Sequence, residues 1–204
     1  GLSCTAIFFN LKFTDPYGIF FVDMPNVNIS SALTWKAFEI AKGDDTSFGG
    51  WRYVANALKI ETYGKKLVCE SGTRNISLLG QNVAVGPTSN MTAPGAYPNQ
   101  LDLRTASYTA WEGKSGYVGF EYKIDGQTCY GWFKVDVAAN GDAFTISEYA
   151  YNTQPNTPLY TGMTAKTAVI LSDSTLYEGD ANDGGVLTTS TISLSTNNGT
   201  FTKS

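Results

Sequence analysis

Between residues 116 and 151 apolar and polar positions alternate with the period of a strand. Gly116-Tyr-Val-Gly-Phe-Glu-Tyr-Lys-Ile124 and Gln127-Thr-Cys-Tyr-Gly-Trp-Phe-Lys-Val-Asp-Val137 flank Asp125-Gly126. Asp-Gly between two β-rich runs predicts a type I′ hairpin, because both central residues of that turn need positive φ. A second turn, Ala139-Asn-Gly-Asp142, leads into Ala143-Phe-Thr-Ile-Ser-Glu-Tyr-Ala-Tyr151, so an antiparallel meander is expected over 117–151. In its middle run Phe133, Val135 and Val137 share one face and Trp132, Lys134 and Asp136 the other. The first set is predicted core, and Phe144, Ile146 and Ala150 are expected to extend that layer. A second sheet must cover it.

Upstream, residues 5–13, 17–22, 55–62, 66–70 and 75–79 read as short strands bounded by Gly, Pro, Asn or Asp, and are expected to build most of that second sheet. Residues 31–42 fit a helical pattern, but their Thr, Trp, Phe and Ile content favours a strand. Residues 80–115, rich in Gly, Pro, Asn, Ser and Thr, are expected to form long loops with one or two short strands, where a binding site would sit. Prolines in Thr153-Gln-Pro-Asn-Thr-Pro158 mark a connection leaving the domain. The reading is an all-β chain: an antiparallel, jelly-roll-like β-sandwich over 1–162, then a linker and an incomplete second β module over 163–204. In that module, strands at 168–171 and 186–194 flank an acidic, Gly-rich turn at 177–185.

Composition narrows the classes of function. A net charge of −4, with no basic cluster beyond Lys65-Lys66, leaves no electrostatic footprint for nucleic acid or for anionic headgroups. The longest apolar run, 18–22, is strand-sized and far short of the ~20 residues of a spanning helix, so no membrane insertion is expected. The chain opens almost directly on the apolar stretch 6–9, which reads as a mature chain or a piece of one. Three cysteines, Cys4, Cys69 and Cys129, show no C-x-x-C spacing; a Cys69–Cys129 disulfide and three buried thiols both fit. Histidine is absent, which removes Ser-His-Asp and Cys-His catalysis and His-metal sites. Paired-carboxylate chemistry would fall to residues such as Glu121, Asp136 and Glu148, but polar-out alternation accounts for all three.

Tyr117-Val-Gly-Phe-Glu-Tyr, Cys129-Tyr-Gly-Trp-Phe-Lys-Val, Ile146-Ser-Glu-Tyr-Ala-Tyr-Asn and Thr157-Pro-Leu-Tyr-Thr-Gly162 together resemble the "YGW…YAY" β-sandwich module of exported, multidomain Bacteroidetes proteins. Residues 170–180 are similar to the start of a Calx-β-like tandem module. The resemblance implies a secreted or cell-surface location and an accessory role, and brings no catalytic residue. Family members often carry a D-x-D-x-D-G segment suited to a cation; the corresponding region here, 21–28, keeps Asp23, Asn26 and Asn28. Asp173-Ser-Thr175 resembles the short O-glycosylation motif of that phylum, and N-x-Ser/Thr triplets begin at Asn28, Asn75, Asn90 and Asn198.

The remaining candidates for recognition are aromatic. Trp35, Trp51, Trp111 and Trp132 could serve as flat platforms for sugar rings or as packing, with packing favoured. Trp51, Trp111 and Trp132 are taken as ligand-binding candidates, Trp132 because it faces away from Phe133 and Val135. Asp180, Asn182 and Asp183 are taken as the cation candidate, with Gly43-Asp-Asp45 as the other; their clustered oxygens suit calcium, but neither stretch has a full calcium ligand run, so a solvated turn is favoured and no cofactor is assigned. The expected function is that of a non-catalytic extracellular module of a larger protein, acting in adhesion, substrate docking or spacing on a glycan or protein surface. The alternatives are a carbohydrate-binding module and a jelly-roll glycosidase or polysaccharide lyase.

Overall fold

The computed structural model describes residues 3–7, 19–30, 34–40, 43–163, 175–179, 187–194 and 201–203. The strands begin with β1 (Ser3–Ile7), β2 (Ile19–Ile29), β3 (Thr34–Glu39), β4 (Ser47–Arg52), β5 (Leu58–Glu61), β6 (Lys66–Val68), β7 (Ala84–Val85), β8 (Met91–Thr92) and β9 (Gln100–Arg104). The predicted meander follows as β10 (Ser115–Ile124), β11 (Gln127–Val137) and β12 (Phe144–Asn152), then β13 (Leu159–Tyr160). Farther on lie β14 (Thr175–Gly179), β15 (Leu187–Leu194) and β16 (Phe201–Lys203). Among the described residues the only helix is a 3-10 turn at Val54–Asn56.

Two antiparallel sheets make the body, a seven-stranded one ordered β1-β2-β12-β11-β10-β6-β8 and a four-stranded one ordered β3-β4-β5-β9. Phe38 and Phe48 of the smaller sheet meet Phe120 and Phe133 of the larger, with ring centroids 5.2 to 5.5 Å apart. The chain is a β-sandwich with an aromatic centre. Phe133, Val135 and Val137 are buried in it as predicted. At the β10–β11 tip Asp125 and Gly126 have φ of 49° and 74°, the pair of positive values a type I′ turn needs. The Asp44 carboxylate accepts both of their N–H groups at 2.9 Å, which ties the preceding Gly43-Asp-Asp45 segment to the hairpin.

Partner choice differs from the expectation. β1, β2 and β6 join the meander's own sheet, and the second sheet is built from β3, β4, β5 and β9. β2 runs the length of β12, from Phe144↔Ile29 to Asn152↔Ile19, and sends Phe20, Val22, Met24, Val27 and Ile29 into the core. Its inward phase changes across Pro25, where a register shift against Ile146 and Glu148 absorbs a residue that cannot donate to the ladder. A second register shift, in which Ser147 and Glu148 oppose Lys134 between the Val135↔Ile146 and Phe133↔Tyr149 pairs, reverses the phase of β12. Phe144 and Ile146 face the core, but beyond Ser147-Glu148 the inward positions are Tyr149 and Tyr151, so Ala150 lies on the opposite face rather than in the predicted layer.

That opposite face is also covered. β7 pairs with β13 as a two-stranded ribbon over the meander. Beneath it Trp132 packs with Ile19, Tyr117, Ala150, Leu159 and Met163, and a smaller cluster joins Val68, Val85 and Tyr130. Thr161 pins the ribbon: its hydroxyl donates to the Gly80 carbonyl at 2.6 Å and accepts the Val83 N–H at 2.9 Å. The meander is thus buried on both sides.

A disulfide does not join Cys69 to Cys129; both thiols are buried. β10 lies between β11, which carries Cys129, and β6, which precedes Cys69. Two strand spacings, about 9.5 Å, exceed the ~7 Å that a disulfide can span. Burial pushes the Cys69 thiol up to about 11, which leaves it unreactive at neutral pH.

Lys65 is buried at one end of the sandwich, its ammonium 4.6 Å from the Phe48 ring centroid and 3.1 Å from Asp45 Oδ1. The Asp45 contact is an ion pair without an aligned hydrogen bond. Burial holds the Lys65 pKa below its ordinary 10.5, with Asp45 pulling the other way. Between the lowered value and 10.5 the unfolded chain binds the proton that the native state has released, so this lysine makes stability rise with pH across that window. Lys65→Met is expected to stabilise the fold at neutral pH by about 1 kcal/mol. Its advantage over wild type should shrink as melts are repeated up to pH 10.5. A Lys65→Met protein that melts below wild type at neutral pH would show that the ion pair and ring contact outweigh burial.

At the C-terminal end β14, β15 and β16 form a separate three-stranded antiparallel sheet. β14 runs through residues 175–179, so a strand occupies the start of the stretch expected to be a turn. The cation candidates Asp180, Asn182 and Asp183 lie outside the described residues.

Candidate functional site

On the four-stranded sheet one face points into the core and the other points outward. Two cross-strand rows define the outer face: Trp35, Trp51, Lys59 and Asp102 in one, and Ala37, Gly49, Glu61 and Gln100 in the next. The local sequence explains why aromatic rings collect there. Phe48 points inward, so period-two alternation sends Gly49 and Trp51 outward. Gly49 has no side chain to hold Trp35 off the sheet; a Cβ at that position would lie 2.5 Å from Trp35 Nε1. Inward-facing Gly50 leaves room for Phe144 and Ile29 from the opposite sheet, whose side chains a Cβ would meet at 2.9 and 3.0 Å.

The result is a row of three rings. Trp35 is 42% exposed and its centroid lies 5.8 Å from that of Trp51, with the planes 43° apart. Trp51 in turn stacks on Tyr53 at 5.6 Å and 14°. Trp51 and Tyr53 are both half-buried. Polar groups fix the row from below and beside it. Trp51 Nε1 donates to Glu61 Oε2 at 2.6 Å, and the Tyr53 hydroxyl exchanges hydrogen bonds of 3.0 and 2.8 Å with the Gln100 amide. Lys59 is ion-paired to Asp102, and Arg74 donates to the Gln100 carbonyl. Tyr63, 40% exposed, and Tyr97, 91% exposed, stand in two neighbouring loops that the Thr62 N–H to Asn99 carbonyl bond of 2.9 Å joins.

Of the three tryptophans expected to bind, Trp51 alone belongs to this row. Trp111 is fully buried and its Nε1 donates to the Ile76 carbonyl at 2.9 Å. Trp132 is 2% exposed, lies edge-on to Tyr117 and donates to the Tyr160 carbonyl at 3.0 Å. Neither has a ring face left for a ligand. The row adds Tyr53, Glu61 and Gln100, which sequence reasoning did not select, and Trp35, which it counted among the aromatics without selecting. Trp35, Glu61 and Gln100 lie on β3, β5 and β9, and only the cross-strand register through Gly49 and Trp51 of β4 brings them to one face.

The carboxylates considered for catalysis are spread over the other sheet and each has a neighbour. Glu121 pairs with Lys66 at 3.3 Å, Glu148 reaches Lys134 at 4.0 Å, and Asp136 accepts from the Ser115 hydroxyl. In the degenerate cation segment Asn28 Oδ1 accepts from the Thr145 hydroxyl at 2.7 Å. In Gly43-Asp-Asp45 both acids are engaged, Asp44 with the hairpin tip and Asp45 with Lys65. Among the described residues no three Cys, Asp or Glu side chains converge as a metal set would require. No family model, curated protein or solved structure matches the chain.

Proposed function

We propose that this chain is a non-catalytic β-sandwich module of a larger exported protein, and that it docks onto extracellular glycan through the outer face of the four-stranded sheet. One observation carries the reading: Trp35, Trp51 and Tyr53 form a continuous aromatic row that keeps partial exposure on a sheet face, with the Glu61 carboxylate set against it. The C–H side of a sugar ring is apolar and loses water favourably against an aromatic surface, while its hydroxyls donate strongly to a carboxylate. Both needs are met within one cross-strand patch. Export is supported by the resemblance at 117–162.

A glycan array probed with the purified chain tests this. Binding is expected, and Trp35→Ala and Trp51→Ala should each weaken it by at least tenfold, which corresponds to about 1.4 kcal/mol. Both side chains are partly exposed, so thermal melts should confirm that the variants remain folded. Silence across the array, or binding that survives both substitutions, would overturn the proposal.

A further inference from the structure

Resting on the glycan-docking reading, we infer that the aromatic row holds a single sugar ring, stacked on Trp35, and that Trp51 and Tyr53 orient this one platform without touching sugar themselves. What each ring already contacts decides between platform and support. Tyr53 lies within 14° of parallel to Trp51 at 5.6 Å, so each of these two rings gives one face to the other. Their polar edges are taken as well: Trp51 Nε1 donates to Glu61 Oε2, and the Tyr53 hydroxyl is held by the amide of Gln100, a residue only 3% exposed. Both stacked rings are half-buried, whereas Trp35 is 42% exposed. An indole is about the size of one pyranose and offers it one apolar face.

Trp35 is seated by its neighbours. Its Nε1 lies against Gly49, where a Cβ would come within 2.5 Å, and its ring meets Trp51 at 5.8 Å with a 43° tilt. Trp51 has little freedom to turn, because Tyr53 lies on its face and Glu61 holds its Nε1. Orientation therefore passes from Gln100 to Tyr53, from Tyr53 to Trp51 and from Trp51 to Trp35. A platform already held in its bound orientation loses less side-chain freedom when a sugar arrives. Tyr53 and Gln100 are thus positioning residues, and the loss of binding expected of Trp51→Ala arises through Trp35. Glu61 pairs with Gly49 across the ladder, beside the seat of Trp35, and holds Trp51 through Oε2, which leaves Oε1 to accept from a hydroxyl of the same sugar ring.

The test uses the purified chain in calorimetry and NMR. The probes are the best-binding array glycan and ladders from methyl glycoside to hexasaccharide of β-glucan, mannan and xylan. Gly49→Ala, within β4, pushes Trp35 off its seat and leaves the Trp51–Tyr53 stack in place; part-exposed Trp35 can move outward, so the fold should hold while binding falls by about fivefold or more. Per sugar residue, affinity should stay within about threefold along a ladder. Tyr53→Ala should weaken binding by about fivefold, and should broaden or split the indole N–H signal of Trp35, which its loss in Trp35→Phe assigns. Tyr53→Phe keeps the stacked face and should restore both. Wild-type binding by Gly49→Ala would overturn this inference while glycan docking stands. So would an affinity per sugar that climbs about tenfold along a ladder, or a Tyr53→Ala protein that loses binding with the Trp35 signal unchanged. If neither the array nor any ladder binds, both readings fail.

Discussion

Trp111→Ala is expected to cost about 3–5 kcal/mol of folding stability, lowering the melting temperature by roughly 6–20 °C for a chain of this size. The indole is wholly buried in the main core and sits where two irregular segments meet the sheets. Its N–H and the Tyr108 hydroxyl both donate to the Ile76 carbonyl, at 2.9 and 2.6 Å, so the 105–114 loop is fastened to residue 76. Residue 76 is itself tied to β9 through its N–H and the Asp102 carbonyl at 2.8 Å. Truncation therefore removes packing from a site closed by strands and fastened loops, which have little freedom to collapse into the space. Trp111→Phe removes the hydrogen bond with much less of the volume. Most of the ring remains and the Ile76 carbonyl keeps the Tyr108 donor, so a loss of about 1 kcal/mol is expected. Burial holds that phenol up to about 12, so the donor is present at any ordinary pH. Urea titration of both variants checks the order. A Trp111→Ala protein that unfolds with wild type yet loses glycan would return Trp111 to the ligand site and remove it from the core.

How such a residue came to be a binding candidate shows what a linear pattern can reveal. Alternation in 116–151 specified three strands, a type I′ turn and the inward face of β11, because each depends on residues within a few positions of one another. Alternation also placed Trp132 opposite Phe133, and that is where it lies. What covers a face is a different question. Trp132 is buried by Leu159 and Met163, and Tyr160 accepts its N–H; these partners lie 27 to 31 positions away. Thr157-Pro-Leu-Tyr-Thr-Gly162, which stood out as a motif, is the ribbon that caps the "YGW" tryptophan. The bulge in β12 was invisible for a similar reason, since it is set by the pairing of Tyr149 and Ile146 with Phe133 and Val135 on β11. The aromatic row was hidden by its glycines: Gly49-Gly50 depress any strand signal, yet they are what lets Trp35 lie on the sheet and the opposite sheet approach.

The glycine in the same "YGW" motif should be equally intolerant of change. Gly131→Ala is expected to cost about 3 kcal/mol, at the upper end for overpacking in a core. Gly131 stands directly opposite Phe120 across the β10–β11 ladder and opposite Tyr151 across β11–β12. The Phe120 ring lies over it, so a methyl would fall 2.3 Å from Cζ and 2.6 Å from Cε2, and 2.7 Å from the Ala150 carbonyl oxygen. The carbonyl belongs to the central strand pairing and cannot withdraw without disturbing the ladder. Phe120 cannot easily swing aside either, being fully buried between Phe48, Tyr122 and Phe133 with centroids 5.2, 5.7 and 5.9 Å away. Because the obstacle includes a ring and a backbone atom, a double-mutant cycle separates them. Phe120→Ala alone should cost about 3–5 kcal/mol, and in that background the added cost of Gly131→Ala should fall to about 1 kcal/mol, an interaction between contacting residues well outside additive error. If the cost of Gly131→Ala were unchanged in the Phe120→Ala background, the backbone contact would be the sole source of intolerance. If Gly131→Ala melted within about 2 °C of wild type, worth under 1 kcal/mol, the close packing of Phe120 over β11 would be refuted.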